Sequence, residues 1–258
     1  MPRRRSDEEG PDGGMQVITR AAAILGALAE PDRGQSLAQL AAQTGLPKTT
    51  VHRICAALEQ VGYVRTDGAS GRRELGPSLL RLAFSGRRDL ADELQPALQR
   101  LSLELNETVD LAVLDGGEVL FVAQHPAPER ALMAIARVGA HFPAYSLASG
   151  KVLLAQLPRE EVVRRLPRRI EPALDGRART RETLLRELDE VRRTGLGYER
   201  EEMRHGICAV AVAVTDVDGR AASVAVPMPT SRFQESEGRV AARLLELRDA
   251  AEARLRGA

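Results

Sequence analysis

Glycine beside lysine is the pairing a phosphate-cradling loop requires, and Ser149-Gly150-Lys151 supplies it in this 258-residue chain. Such a loop also needs a glycine five positions before its second glycine and a hydroxyl after the lysine, to hold phosphates and magnesium. Those two positions are Tyr145 and Val152, so the segment is not a phosphate loop. Glu201 and Glu202 are neighbours and point to different sides of a strand or a helix, a poor arrangement for an acid/base pair. His52, His125, His141 and His205 form no HxxxH or HExxH spacing. Cys55 and Cys208 have no metal-ligand spacing and are too few for a disulfide framework. The expectation is a protein without catalytic residues, metal or cofactor.

A second group of side chains can do recognition chemistry instead. Lys48 offers a cation for phosphate, Thr49 a hydroxyl for phosphate or base, and Arg53 a guanidinium able to grip guanine bidentately. At about 100° per residue on a helix, Val51, Ile54, Cys55, Leu58 and Val61 gather on one side. Thr49, Arg53, Ala56 and Gln60 fall opposite, with His52 at the flank and Thr50 within the same first turn. Arg65, Arg72 and Arg73 follow in a short basic hairpin that would meet the DNA backbone.

These residues need particular elements to present them. Over 16–29, Val17, Ala21, Ile24, Leu25 and Leu28 repeat at helical spacing, and Pro31 and Gly34 end the helix. Ser36 is placed to cap a second short helix, which Gly45 stops, and Pro47 opens the third, closed by Gly62. Segments 63–66 and 72–75 flank a glycine-rich tip and predict a hairpin. Three helices and a hairpin are the order of a winged helix-turn-helix, whose last helix enters the major groove of DNA. The predicted organisation is a disordered tail over 1–14, this DNA-binding domain over 15–76, and a helical linker and entry to the second domain over 77–105, interrupted near Ser85-Gly86 and at Pro96. A second domain follows over 106–258.

In that second domain, 109–114, 119–123, 132–137, 209–215 and 221–227 read as strands. Segments 150–157, 159–166, 180–194 and 235–255 read as helices. Asp115-Gly116-Gly117 and Asp216-Val217-Asp218-Gly219 are hairpin turns, so strands pair antiparallel and the fold class is α+β. No apolar run is long enough to cross a membrane, and 1–14 lack the apolar core of a signal peptide. With few cysteines, the expected location is the reducing cytoplasm. The net charge of +1 is unevenly spread: residues 1–88 carry 13 Lys/Arg against 9 Asp/Glu, and 89–258 carry 24 against 27. The front half therefore suits DNA better than the back.

Thr44-Gly45-Leu46-Pro47-Lys48-Thr49-Thr50-Val51-His52-Arg53 resembles the signature turn and recognition helix of the IclR family of bacterial regulators. Val17-Ile18-Thr19-Arg20-Ala21 with Ile24-Leu25 is similar to that family's opening helix, and Leu75-Gly76 to the close of its wing, although Arg73 stands where an aromatic is usual. Ala148-Ser149-Gly150-Lys151-Val152-Leu153-Leu154-Ala155 and the stretch from Gly195 through Glu201-Glu202 to Asp216 resemble further family segments.

The resemblance covers about 15–250. It implies a GAF-like second domain that binds a small metabolite and tunes affinity for a roughly palindromic double-stranded DNA operator, as a homodimer or homotetramer with no membrane role. Carried over by position, the effector pocket would be lined by Ala134, Phe142, Ala148, Ser149, Gly150, Glu199, Ile207, Ala209, Ala225 and Pro227. Ala209, Ala225 and Pro227 replace polar or cysteine positions, and Ala213 replaces a family proline. An aromatic or otherwise apolar carboxylic acid is therefore the expected effector, its carboxylate held by free N–H groups around Ser149–Lys151. The alternatives are an enzyme or an interaction scaffold built on a GAF-like body.

Overall fold

A computed structural model describes residues 12–29, 34–79, 82, 90–130, 134, 136–171, 174 and 180–257. The chain divides into two compact units, Met1–Arg87 and Arg88–Ala258.

The first unit holds α1 (Asp12–Leu28), α2 (Leu37–Thr44) and α3 (Lys48–Gln60), then a hairpin of β1 (Val64–Thr66) and β2 (Arg73–Leu75). Its core joins Ile24 and Leu28 of α1, Leu40 of α2, the α3 stripe of Val51, Ile54, Cys55 and Leu58, and Val64 of the hairpin. Ser36 and Gln39 form a reciprocal capping box at the start of α2. Gly45 ends that helix at φ 67°, left-handed backbone that glycine adopts without a Cβ clash, and so turns the chain into α3.

Several expectations shift in this unit. α1 starts at Asp12, inside the expected tail, because extending a nucleated helix costs little per residue. The rest of the tail, 1–11, lies outside the described residues. Val17 and Val61 are exposed rather than buried, at 46% and 54%; Val61 follows the last residue of α3 and has left the helix stripe. A bridge between Gln35 and Arg73 ties the hairpin to the segment before α2.

The second unit contains α4 (Leu90–Leu105), β3 (Val109–Asp115), β4 (Glu118–His125), β5 (His141–Pro143), α5 (Ala148–Ala155) and α6 (Arg159–Arg165). It continues with α7 (Arg181–Thr194), β6 (Gly197–Arg200), β7 (Ile207–Thr215), β8 (Ala221–Pro229) and α8 (Thr230–Arg256). The strands form one antiparallel sheet in the order β5-β4-β3-β8-β7-β6. Successive strand residues face opposite sides. On β7 this sends Val210, Val212 and Val214 against α4 and α8, and Ala209, Ala211 and Ala213 against α5, α6 and α7. The alanine face lets α5 lie close: a Cβ on Gly197 would stand 2.8 Å from the Ala148 carbonyl oxygen.

The α+β class and antiparallel sheet match the sequence expectation, and four details do not. Pro96 sits inside α4 without ending it, because Leu94, Leu98, Leu101 and Leu105 hold one face of the helix in the core. By the same burial α4 packs into the second unit, as the entry to it. The expected break at Ser85-Gly86 lies outside the described residues. Of the expected strand 132–137, the described residues 134, 136 and 137 are in no strand. The short β5 and β6 went unforeseen, and α8 begins at Thr230, directly after β8.

Candidate DNA-reading helix and ligand cavity

On α3, Lys48, Thr49, His52 and Arg53 are exposed and Thr50 is half-buried. Lys48, His52 and Arg53 make no hydrogen bond or ion pair to a described residue. The side chains of the inner stripe fix the helix, and its outer face offers two cations and a hydroxyl to an outside partner. Ala56 continues that face without bulk, which leaves room for close approach to a base edge.

The three hairpin arginines part ways. Arg65 is exposed and pairs at 2.6 Å with Glu74, its cross-strand neighbour. Arg72 donates from Nε to the Gly34 carbonyl at 2.9 Å and from Nη2 to Gln39 Oε1 at 3.2 Å, so it binds the hairpin to the start of α2. Arg73 donates to the Gly71 carbonyl at 2.5 Å and is half-buried. Arg72 and Arg73 therefore serve the domain's own architecture in part, which spacing along the chain could not show.

In the second unit a cavity of about 250 Å³ lies over the alanine face of the sheet. Its floor carries Ile207 and Ala209 of β7 and Ala225 and Pro227 of β8; Ala148 and Ser149 at the start of α5, Phe142 of β5 and Ala134 close it, and Glu199 of β6 stands at one end. Nine of the ten expected lining residues are thus together. Gly150 is the exception: a Cβ there would sit 2.0 Å from the Ala144 carbonyl oxygen, so it faces the turn before α5 and not the cavity. Residue Gly150 is a packing glycine.

Six further lining residues were not anticipated: Asp110, Phe121, Ala136, Leu147, Met203 and Arg204. Phe121 and Phe142 meet edge to face with centroids 5.9 Å apart. Asp110 is 3% exposed, and its carboxylate accepts from Gln124 Nε2 at 2.6 Å. Desolvation pushes its pKa up to about 7, partly offset by that hydrogen bond. A carboxylate inside Val109-Asp110-Leu111-Ala112-Val113 was the available signal, since the strand alternation turns it to the inner face of an apolar element. Glu199, also buried, accepts from the Met203 N–H at 3.2 Å.

Lys151 does not enter the cavity. Fully buried, its Nζ donates to Glu187 at 2.5 Å, to Glu202 at 2.7 Å and to the Tyr198 carbonyl at 2.6 Å. It locks α5 to α7, β6 and the 201–206 segment. Glu201 turns elsewhere and accepts from Thr230 Oγ1 at 2.6 Å. Among the described residues no group of three or more His, Cys, Asp or Glu could hold a metal, and no helix is long and apolar enough to cross a membrane.

Comparison with known proteins bears on both sites. Residues 17–68 match the IclR helix-turn-helix domain, and residues 83–254 match the bacterial transcriptional regulator IclR C-terminal domain. The HTH-type transcriptional regulator Rv1719 of Mycobacterium tuberculosis is 41% identical, over 93% of this chain and 92% of its own. TtgV of Pseudomonas putida, another HTH-type transcriptional regulator, is 37% identical over 94% and 93%. An IclR homologue from Microbacterium hydrocarbonoxydans, solved in complex with 4-hydroxybenzoate, superposes with a TM-score of 0.80 at 26% identity, covering 94% of this chain and 100% of that one. Matches of this extent take in the helix-turn-helix and the cavity-bearing unit alike: the chain belongs to the IclR family of bacterial transcriptional regulators.

Proposed function

We propose that this regulator reads operator DNA through α3 and adjusts that binding to a small organic effector held in the cavity. The observation that carries the reading is the outer face of α3, where Lys48 and Arg53 stand exposed without a described partner. In the major groove, Arg53 would grip a guanine edge, Lys48 and Thr49 would hold phosphates, and Thr50 and His52 would flank them. Arg65 would meet the backbone, with Arg72 and Arg73 setting the angle of the hairpin. A homodimer or homotetramer would present paired helices to a roughly palindromic site, about one helical turn apart. By linkage, operator DNA must then alter effector affinity by the same factor as effector alters operator affinity. The setting is the cytoplasm, where the operator is.

Fluorescence anisotropy on duplexes from the DNA flanking its own gene, against random duplex at two salt concentrations, tests the DNA half. Selective binding that weakens steeply with salt is expected. Binding no better than to random DNA, followed by failure to select a site from a random library, would sink it.

A second reading of the effector, as an organic acid with an aromatic body, is favoured by one observation. The N-cap residue of α5, Leu147, provides no side-chain cap, so backbone N–H groups and a positive helix end stand beside the cavity. The homologue complexed with 4-hydroxybenzoate is in keeping with it.

A further inference from the structure

The polar groups lining the cavity narrow the chemistry of its occupant, taking the effector role proposed above as given. Sheet register puts Asp110 opposite Ala225, Ala225 opposite Ala211, Ala209 opposite Pro227, and Glu199 opposite Ala209. The order β3-β8-β7-β6 therefore sets the two acids at opposite ends of a floor of small residues, three strand spacings across and two residues along, or roughly 16 Å apart. A flat ring system fits over such a floor, and the edge-to-face phenylalanines offer it an aromatic wall. The cavity is at the small end for ligand sites, which run about 300–1,000 Å³, so one or two rings fill it.

Both buried polar ends of this space accept hydrogen bonds. Glu199 has the Met203 N–H as a donor, whereas Asp110 has only Gln124 on one oxygen among the described residues. Arg204 is the sole cation among the described lining residues and it is exposed. The lining residues of α5, β4, β5, β7 and β8 carry no ionisable group. An anionic ligand at the Asp110 end would set a second negative charge against that carboxylate once it ionises, in a poorly hydrated space where like charges are screened weakly. A neutral donor would instead supply the hydrogen bond that Asp110 lacks, and a bond to a charged acceptor is among the stronger ones.

We propose that the cavity takes an uncharged phenol-like aromatic molecule whose hydroxyl donates to the Asp110 carboxylate. Gln124 is then a positioning residue that orients that carboxylate.

Three ligands of similar size separate the possibilities by calorimetric titration into the full chain: 4-ethylphenol, 4-ethylanisole, which lacks the donor, and 4-ethylbenzoate, which carries the charge. The phenol is expected to bind about tenfold or more tightly than either of the others. Its affinity should rise about tenfold from pH 6 to pH 8, as Asp110 ionises and well below the phenol's own ionisation near 10. Asp110→Asn should remove both the preference over the anisole and the pH dependence. That measurement on the unaltered protein keeps the test sound even if the variant folds poorly. Tightest binding of the benzoate, weakening as pH rises, would overturn the proposal and leave the effector reading standing in its acid form. Equal binding of phenol and anisole, or a preference that survives in Asp110→Asn, would also overturn it. If none of the three binds, the effector role of the cavity falls with it, while the anisotropy assay still judges the DNA half independently.

Discussion

Lys48 and Lys151 both stand near the start of a short helix, α3 and α5, and their surroundings use the same charge in opposite ways. Lys48 is exposed and touches no described polar partner; Lys151 is fully buried, with two carboxylates and a carbonyl around its ammonium. The arginines repeat the division, with Arg53 free on the outer face of α3 and Arg72 turned inward to Gly34 and Gln39. A cation left without an internal partner is available to DNA. One that is enclosed holds elements together, and removing it damages the fold before it touches recognition. Stability and binding measurements on these pairs can break the distinction.

The largest effect is expected at Lys151. Lys151→Met would take the ammonium from Glu202, whose side chain is 12% exposed, and breaking one partner of a buried pair costs about 3–5 kcal/mol. Urea denaturation of the second unit reads this directly. A loss under about 1 kcal/mol would mean that Glu187, 36% exposed at its side chain, and water satisfy the site without the lysine. Lys48→Ala should change the urea stability of its own unit, the first, by no more than about 0.5 kcal/mol.

Asp110 extends the comparison to buried acids. Its ordinary value of 3.8 rises to about 7 in the folded chain, so between those values the folded state keeps a proton that the unfolded state releases. Stability must therefore fall as pH rises through that window, by up to about 1.4 kcal/mol per unit, or roughly 2 kcal/mol from pH 5 to 7. Hydrogen bonds and ion pairs that lower the values of Glu201 and Glu237 act in the other direction, so the difference from Asp110→Asn isolates the effect. Parallel curves for the two proteins would show that Asp110 is hydrated through the cavity.

What was legible in the sequence divides along the same line. The turn through Gly45 and Pro47, the capping serine and the apolar stripe of α3 are local features, and they gave the DNA-reading helix its position and its outward face. Nine cavity residues were found by resemblance, with no periodicity that could have gathered segments 134–149 and 199–227 around one space. Gly150 lies off the cavity lining because helix rotation, unseen in sequence, turns its Cβ position to Ala144. Asp110 was missed although its strand showed it, since a lone acid in an apolar strand carries meaning only once the facing element is known. Arg72 and Arg73 read as DNA contacts by charge alone; the inward bonds of Arg72 depend on Gly34 and Gln39, more than 30 positions away, whereas Arg73 bonds to the nearby Gly71.

On the outward side, Arg53→Ala should cost about 1–3 kcal/mol of specific operator binding and relax the preference at one base position, with stability unchanged within about 0.5 kcal/mol. Anisotropy on the selected site and on single-base variants checks both parts. Equal affinity for the selected site would remove Arg53 from the reading set and move base recognition to Thr49 or His52.

The smallest expected change is also the most specific to the comparison. If Lys48 serves only phosphate, Lys48→Ala should weaken selected and random duplexes by the same factor and lower the slope of log affinity against log salt by about 0.9, the release of one counterion's worth of charge. Titrations between 50 and 200 mM salt on both duplexes give the slope. A loss confined to the selected duplex would mean that Lys48 reaches a base edge, and the face of α3 would then read sequence from its first residue. An unchanged slope would mean that the exposed cation touches no phosphate at all. In that event lack of an internal partner would fail as a guide to which charges DNA uses, and Arg65, exposed yet paired with Glu74, would be the next to test.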